Sequence, residues 1–298
     1  MTKPDTDSDF DSGRKLRNND GQIEFWNTGP GKNWARYQAG LDACFSNINA
    51  RLIERCEMKN DGVILDVGCG TGATSLALAG KFGHQAQITG VDVSKPLLDY
   101  ATQRIESSHY TNIRFLQADV QTHGFKQHSF DLIASRFGVM FFTEPTVAFK
   151  NLAIALKPDA KLNFVSWSTV DSNPWFSIPR DAAVDRLGKG VAGDPRAPGP
   201  TAFADMDYVH DILSHAGLGN ISIEVENLTI ETTLKPAEMA ELACNLGPAV
   251  RLMKEKGGSE ADARHIRAAV SQQLGPFKTR LGFSIPASIV VVSAGRAR

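Results

Sequence analysis

The stretch Val63-Ile64-Leu65-Asp66-Val67-Gly68-Cys69-Gly70-Thr71-Gly72 sets a carboxylate two residues ahead of a turn rich in glycine. An apolar strand that runs into such a turn, and from there into a helix, brings main-chain N–H groups to the carboxyl edge of a sheet. A ligand can approach the backbone there without meeting a Cβ. Gly68 to Ala73 satisfies the dinucleotide pattern G-x-G-x-x-[GA], and Asp92 follows about 20 residues after Gly72. In Gly90-Val91-Asp92-Val93-Ser94, that carboxylate ends a second strand, where it accepts hydrogen bonds from the ribose of any adenosine-containing cofactor. These residues leave a nicotinamide dinucleotide and another adenosine cofactor both open. Two further carboxylates separate them. Asp119, in Gln117-Ala118-Asp119-Val120, follows a third strand and can accept a bond from an adenine amino group. Asp66 puts negative charge beside the glycine turn, which is unfavourable next to a pyrophosphate and favourable next to an ammonium group and a sulfonium. Three carboxylates around one cleft suit a cationic ligand.

The elements that position these groups are legible as changes of period. Trp34, Tyr37, Leu41, Cys44, Phe45, Ile48, Leu52 and Cys56 recur at three- and four-residue steps, which predicts one long amphipathic helix. From Gly62 onward short apolar runs alternate with helical ones. Strands are expected at Val63–Val67, Ala86–Asp92, Asn112–Gln117, Phe130–Ser135 and Lys161–Trp167. Helices are expected at Thr71–Phe82, Lys95–Ser107 and Pro145–Leu156. Such alternation, with continuously apolar strands, predicts a doubly wound α/β fold around a parallel sheet covered on both faces. The proline-rich stretch 168–205 breaks the rhythm and reads as a cap or lid insertion. Beyond it, helices are expected at Met206–Ala216, Pro236–Leu246 and Ser259–Phe277, the last opened by the capping-box spacing of Ser259 and Asp262. Ile221, Ile223 and Val225 alternate as a strand whose phase slips at Leu228 and Ile230, which predicts a bulge or a second strand there. A closing strand is expected over Ala287–Ala294, with Pro286 at its entry.

At the residues of the glycine turn and the carboxylates the chain resembles the class I S-adenosylmethionine-dependent methyltransferases. Leu65 to Gly72 matches that family's first motif, Gly90 to Ser94 its following acidic loop, and Gln117 to Val120 its second motif. Phe130-Asp131-Leu132-Ile133-Ala134-Ser135-Arg136 is similar to the fourth strand, and Leu156 to Leu162 to the turn before the fifth, with Asp159-Ala160 where the family usually has Gly-Gly. More loosely, the N-terminal helix and C-terminal half resemble the branch of ubiquinone and menaquinone C-methyltransferases. The resemblance implies a Rossmann-like seven-stranded sheet whose last strand is antiparallel. It implies S-adenosylmethionine as cofactor, with Asp66, Gly68, Cys69, Gly70 and Gly72 at its methionine part. Asp92 and Val93 would then meet the ribose and adenine, Asp119 and Val120 the other edge of the adenine, and Arg136 would lie beside the methyl. Phe137, Phe142, Trp167 and Trp175 are the candidate walls of the acceptor site, and their aromatic character suits a small, partly hydrophobic acceptor. No catalytic residue is assigned, since a methyl transfer needs a base only where the accepting atom must lose a proton. His123, His128, Tyr208 and His210 are read as solvated or packing residues.

Composition bounds the remaining readings. With 32 Lys and Arg against 33 Asp and Glu the formal charge is −1, so no basic excess favours nucleic acid as a partner. Cys44, Cys56, Cys69 and Cys244 have neither disulfide-scaffold nor zinc spacing, so no metal is expected and the thiols read as those of a cytoplasmic protein. Residues 1–20 are polar and read as a disordered tail, with no signal peptide or membrane span expected. The remainder, 21–298, reads as one domain, with a cofactor core over 62–167, the cap over 168–205, and C-terminal strands and helices over 206–298. The competing readings are an NAD-dependent oxidoreductase and a non-catalytic S-adenosylmethionine-binding regulator.

Overall fold

A computed structural model describes residues 19–59 and 61–297. The expected tail lies outside the described residues up to position 18. Its last two residues are placed: Asn19 is buried, and its side-chain oxygen accepts a hydrogen bond from the Thr143 hydroxyl at 2.7 Å.

Seven strands form one sheet: β1 (Val63–Val67), β2 (Gln87–Asp92), β3 (Ile113–Gln117), β4 (Phe130–Arg136), β5 (Leu156–Trp167), β6 (Leu218–Thr232) and β7 (Phe283–Arg296), in the order β3-β2-β1-β4-β5-β7-β6. Only β7 runs antiparallel to its neighbours β5 and β6. The order reverses between β1 and β4, so their carboxyl ends diverge into a crevice, where open α/β sheets bind ligands. Helices α5 (Ala73–Phe82) and α6 (Lys95–Glu106) connect β1, β2 and β3, whereas α7 (Pro145–Ala155) leads the opposite way from β4 to β5. Right-handed crossovers therefore put α5 and α6 on one face and α7 on the other. Both faces being covered, Ile64, Leu65, Ile88, Leu132, Ile133 and Phe164 are buried without the alternation of a half-exposed sheet.

The long N-terminal helix is bent into pieces: α1 (Asp20–Asn27), α2 (Gly29–Arg36), α3 (Gln38–Cys44) and α4 (Ser46–Arg55). The hydrogen-bond ladder passes through both later bends, from Tyr37 N to Asn33 O and from Phe45 N to Leu41 O. The apolar stripe is continuous, with Leu41, Phe45 and Ile48 in the core, and the pieces pack on different strands, α3 on β6 and α4 on β4, β5 and β6.

The second half departs from expectation in three places. Residues 174–187 of the proline-rich stretch are helical (α8), with Pro174 in the first turn, where a missing N–H is harmless, and Pro179 buried inside. Helix α8 packs against α10 (Pro236–Asn245), α11 (Pro248–Lys256) and α12 (Glu260–Gln273), so two separate excursions from the sheet build one helical layer. The Ser259–Asp262 capping box is present, with Ser259 N donating to the Asp262 carboxylate at 2.9 Å. The phase slip at Leu228 is not a bulge. Pairing with β7 is continuous from Ser222 to Thr232, and the register shift falls earlier, between Gly219 and Ser222. Ile221 and Ile223 lie on the opposite face of the strand from Leu228 and Ile230, because α9 (Met206–His215) covers one face of β6 and α3 with α4 the other. Finally, β7 starts at Phe283, and Pro286 lies in the part of it that pairs with β6 alone.

The irregular start of β5, expected from sequence as a turn before the strand, shows why glycine is usual there. Asp159 takes φ +61°, in the left-handed region, while the β4–β5 register jumps from Phe130–Leu156 to Leu132–Lys161. Asp159→Gly removes the Cβ clash at that φ and should raise the unfolding free energy by a few tenths to about 1 kcal/mol. Urea denaturation checks this; a loss of stability would contradict it.

Candidate active site

The three glycines of the turn each have φ in the left-handed region, +63°, +53° and +81°, but for different reasons. A Cβ on Gly68 would lie 2.5 Å from the Cα of Gly138, in the loop after β4, and one on Gly138 would lie 2.6 Å from Val67 O. The two loops are thus in backbone contact. The Ser135 hydroxyl reinforces it, donating to Val67 O at 2.7 Å and accepting from Gly138 N at 3.2 Å. Gly72 faces packing instead, since its Cβ would meet Phe115 and Ala101. At Gly70 a Cβ would meet nothing within 4 Å. That is the open face of the turn. Cys69, between them, is buried against Gly90, and burial pushes its thiol well above the ordinary range.

Asp66 ends β1 beneath this turn with no exposed surface. Its Oδ2 accepts from the Ser75 hydroxyl at 2.6 Å, while Oδ1 is buried without a hydrogen-bond partner. Desolvation raises its pKa to about 6, against the Ser75 bond and the nearby Arg136 guanidinium, which favour the charged form. An orphaned carboxylate oxygen in a dry site is costly unless a donor arrives, and an ammonium group is the best-matched donor.

Asp92 joins the turn to the second strand end. Its Oδ2 accepts from Gly70 N at 2.9 Å and its Oδ1 from Ser94 N at 2.8 Å. Burial raises its pKa, opposed by these backbone bonds. Val93 is half-buried, and its carbonyl accepts from Asn27 at 2.9 Å and Gln117 at 3.2 Å. Asp119 is half-buried and its Oδ1 closes the following turn by accepting from Gln121 N at 3.0 Å; Val120 beside it is buried.

Arg136 follows Asp66 into the crevice from β4. Its side chain is only 10% exposed, and Nη2 stands 3.8 Å from Asp42 Oδ1, while Arg104 Nη2 stands 2.9 Å from Asp42 Oδ2. Asp42 also accepts from the buried Gln38 amide. The aromatic candidates separate into two groups. Phe137, Trp167 and Trp175 pack together with Phe45 and Phe176: Phe137 stacks on Trp167 with centroids 4.5 Å apart, and Phe45 sits 5.5 Å from each of Phe137, Trp167 and Trp175. All five are buried, so they form a floor. Phe137 does so at φ +66°, a strained conformation for a bulky residue directly after the Arg136 position. Phe142 is half-buried and meets Phe149, and its neighbour Phe141 meets Trp26 at 4.9 Å. His123 meets Phe125 edge-to-face, His128 lies against Arg296, and Tyr208 carries Arg196 over its ring.

Trp26, Asn27, Asp42 and Arg104 were not singled out from sequence. Asn27 bonds Val93 O and Lys95 N, and the Ser94 hydroxyl donates to Trp26 O at 2.6 Å, so α1 is strapped over the second strand end. No local spacing announces contacts between residues 66 and 68 positions apart. Among the described residues no group of three His, Cys, Asp or Glu could hold a metal.

Residues 64–159 match the family described as "Methyltransferase domain". The chain is therefore similar to a methyltransferase domain over about a third of its length. It is 29% identical over 122 residues to aklanonic acid methyltransferase of Streptomyces sp. strain C5, a match over 41% of this chain and 56% of that relative. It is 27% identical over 189 residues to demethylmenaquinone methyltransferase of Lactobacillus johnsonii, over 60% of this chain and 76% of that one. The methyltransferase fold extends further than the sequence match. A phosphoethanolamine N-methyltransferase of Haemonchus contortus, solved with S-adenosylhomocysteine, superposes with a TM-score of 0.56 at 17% identity, over 94% of this chain and 61% of that one.

The turn glycines should respond differently to alanine. Gly68→Ala drives a Cβ into Gly138 and should cost on the order of 1–3 kcal/mol of stability. Gly70→Ala meets no atom of the protein and should cost less stability, while filling the open face of the methyltransferase turn and weakening nucleoside ligands. Thermal unfolding alongside calorimetric titration reads both; equal losses in the two variants would refute the distinction.

Asp66 sets a pH dependence. Its folded pKa, about 6, lies above the unfolded value of about 3.9, so the native state holds the extra proton between them and stability falls as pH rises through that window. Asp66→Asn should therefore raise the melting temperature of the unliganded domain at pH 7.5 and little at pH 4.5.

Proposed function

We propose that this methyltransferase domain moves a methyl group from S-adenosylmethionine to a small, partly hydrophobic or aromatic acceptor. The observation that carries this reading is the orphaned, buried Oδ1 of Asp66, two residues before a glycine turn that leaves open space at Gly70. A dinucleotide would set a pyrophosphate beside that carboxylate, whereas S-adenosylmethionine would bring an ammonium group and a sulfonium. Asp92 retains acceptor capacity on both carboxylate oxygens for the two ribose hydroxyls, with Val93, Asp119 and Val120 around the adenine. When bound, S-adenosylmethionine would supply an activated methyl group for the acceptor. The work of the chain is alignment and exclusion of water.

The acceptor class rests on the surroundings of the crevice and on the relatives. The cluster of Phe137, Trp167 and Trp175 is apolar and buried, and Trp26, Phe141 and Phe142 are partly exposed. The relatives named as aklanonic acid methyltransferase and demethylmenaquinone methyltransferase support a small-molecule acceptor. Among the described residues no helix is long and apolar enough to cross a membrane. A second reading, hydride transfer with a nicotinamide cofactor, has the dinucleotide pattern of Gly68 to Ala73 in its favour and the buried Asp66 carboxylate, repulsive to a pyrophosphate, against it.

S-adenosylhomocysteine should raise the melting temperature and NADH should not. Labelled methyl from S-adenosylmethionine should then appear in a small molecule when the protein is incubated with a metabolite extract. Stabilisation by NADH alone would overturn the cofactor assignment. Asp92→Ala should weaken S-adenosylhomocysteine by on the order of 1–3 kcal/mol through loss of charge-assisted hydrogen bonds.

A further inference from the structure

Helix α11 packs on α8 through the buried Ala249 and Leu252. Its outward side carries Val250, Arg251 and Lys254, all exposed. Beside it runs the segment Gly188-Lys189-Gly190-Val191-Ala192-Gly193, whose glycines let it lie flat on the helix. A Cβ on Gly190 would stand 3.0 Å from Leu252 and Glu255, and one on Gly193 would stand 2.9 Å from the Arg251 guanidinium. Val191 N donates to Glu255 Oε1 at 2.7 Å, which ties its backbone to the helix. Its side chain is nevertheless 77% exposed, more than any other large apolar residue among those described. The charge here is as uneven as the exposure. Residues 188–193 and 246–258 hold the cations Lys189, Arg251, Lys254 and Lys256 against the single carboxylate of Glu255, in a chain whose total is −1. Among the described residues none of these cations forms an ion pair, whereas Arg186 at the end of α8 holds Asp262 at 2.7 Å. The next carboxylate along the chain, Asp194, accepts from Arg196 N at 2.8 Å. Exposed apolar side chains set among unpaired cations mark a surface for a partner that is both apolar and anionic.

We propose that this face docks on an anionic lipid bilayer, with Lys189, Arg251 and Lys254 at the headgroups and Val191 and Val250 between them. Nine residues give α11 a length of about 14 Å, enough to lie on a bilayer and not to cross one. Nucleic acid would satisfy the cations and leave the valines in water. A second copy of this chain, meeting the first through the same face, would set like charges against one another. Docking deepens the reading of a partly hydrophobic acceptor and rests on that reading for its purpose. Gly247, which caps α11, is packed against Phe176, since a Cβ there would meet the ring at 3.1 Å. Phe176 meets Trp167 edge-on at 5.1 Å, and Trp167 stacks on Phe137, directly after β4. The docked helix therefore adjoins the buried aromatic cluster, and an acceptor dissolved in lipid would reach the protein on that side.

Sedimentation of the full chain with lipid vesicles tests this. Wild-type protein should bind vesicles of phosphatidylcholine and phosphatidylglycerol in equal parts, ignore vesicles of phosphatidylcholine alone, and be released as salt rises. Arg251→Gln and Lys254→Gln should each weaken the partition coefficient about fivefold, and together about twenty-five-fold, the scale of one cation apiece at an anionic surface. Val191→Trp should tighten it severalfold, because indole favours the headgroup region, and misfolding cannot imitate a gain. Val225→Ser, at an exposed valine of β6, should change nothing. Every variant should bind S-adenosylhomocysteine as wild type does. Wild-type protein that stays in solution with anionic vesicles, equal binding to neutral ones, or an equal effect of Val225→Ser would overturn the proposal. So would a dimer in vesicle-free solution that Val191→Asp dissociates, which would give the face to a second copy. Vesicle binding is read without turnover. A protein that docks and transfers no methyl group therefore overturns the methyl-transfer reading alone, and one that methylates a water-soluble acceptor while ignoring vesicles overturns docking alone.

Discussion

The crevice is organised by the close approach of two backbones. Gly68 and Gly138 touch where β1 and β4 end, with no room for a Cβ on either, and the Ser135 hydroxyl bonds across the contact. Strands β1 and β4 are direct neighbours, with Asp66 paired to Ala134. The loop contact carries that register beyond the sheet edge. Asp66 and Arg136 are consequently held close enough for the guanidinium to favour the ionised carboxylate, although burial opposes it. A larger residue at either glycine would part the loops and admit water to both charges, which would screen their interaction.

From that contact the rest of the site extends in two directions. Toward β2, Asp92 bonds the Gly70 and Ser94 amides, and α1 is strapped over it through Trp26 and Asn27. Toward β5, Phe137 turns at positive φ into the stack with Trp167, which Trp175, Phe176 and Phe45 complete. The strain at Phe137 is held by burial of the ring and by its N–H bonding Val165 O at 3.0 Å. One side of the crevice is therefore polar and served by backbone amides, and the other is apolar and rigid. An amphipathic pair of reactants, a charged nucleoside and a partly hydrophobic acceptor, matches that division.

The core of the sheet was legible because each of its elements is written locally. Strands β1 to β4 fall within a residue of their expected bounds, and so do the three helices that connect β1 to β2, β2 to β3 and β4 to β5, except that α5 starts two residues late. Continuous apolar runs and flanking glycines report burial on both faces whatever the partner. Expectation failed where partners determined the outcome. The stripe from Trp34 to Cys56 describes one face but not the bends at Tyr37 and Phe45, because which strands each piece packs on is not written locally. The phase change at Leu228 resembled a bulge because alternation records which side is covered, and α9, α3 and α4 cover different sides along β6. In the site, the packing of Phe137 on Trp167 and of Phe45 on Trp175 joins residues far apart in the chain, which local spacing does not announce.

The sequence by itself determined the glycine turn, the three strand-ending carboxylates, and through them the methyltransferase resemblance. These depend on backbone conformation and on spacing within a strand–turn–helix unit, both of which are local. Only the tertiary structure decided which charges share an environment. Asp42 stands 62 residues before Arg104 and 94 before Arg136, yet one carboxylate faces both guanidiniums, and Asp66 loses water only when Ser75, Arg136 and the turn close over it. Desolvation and ion pairing depend on distance in space, and distance along the chain leaves that undetermined.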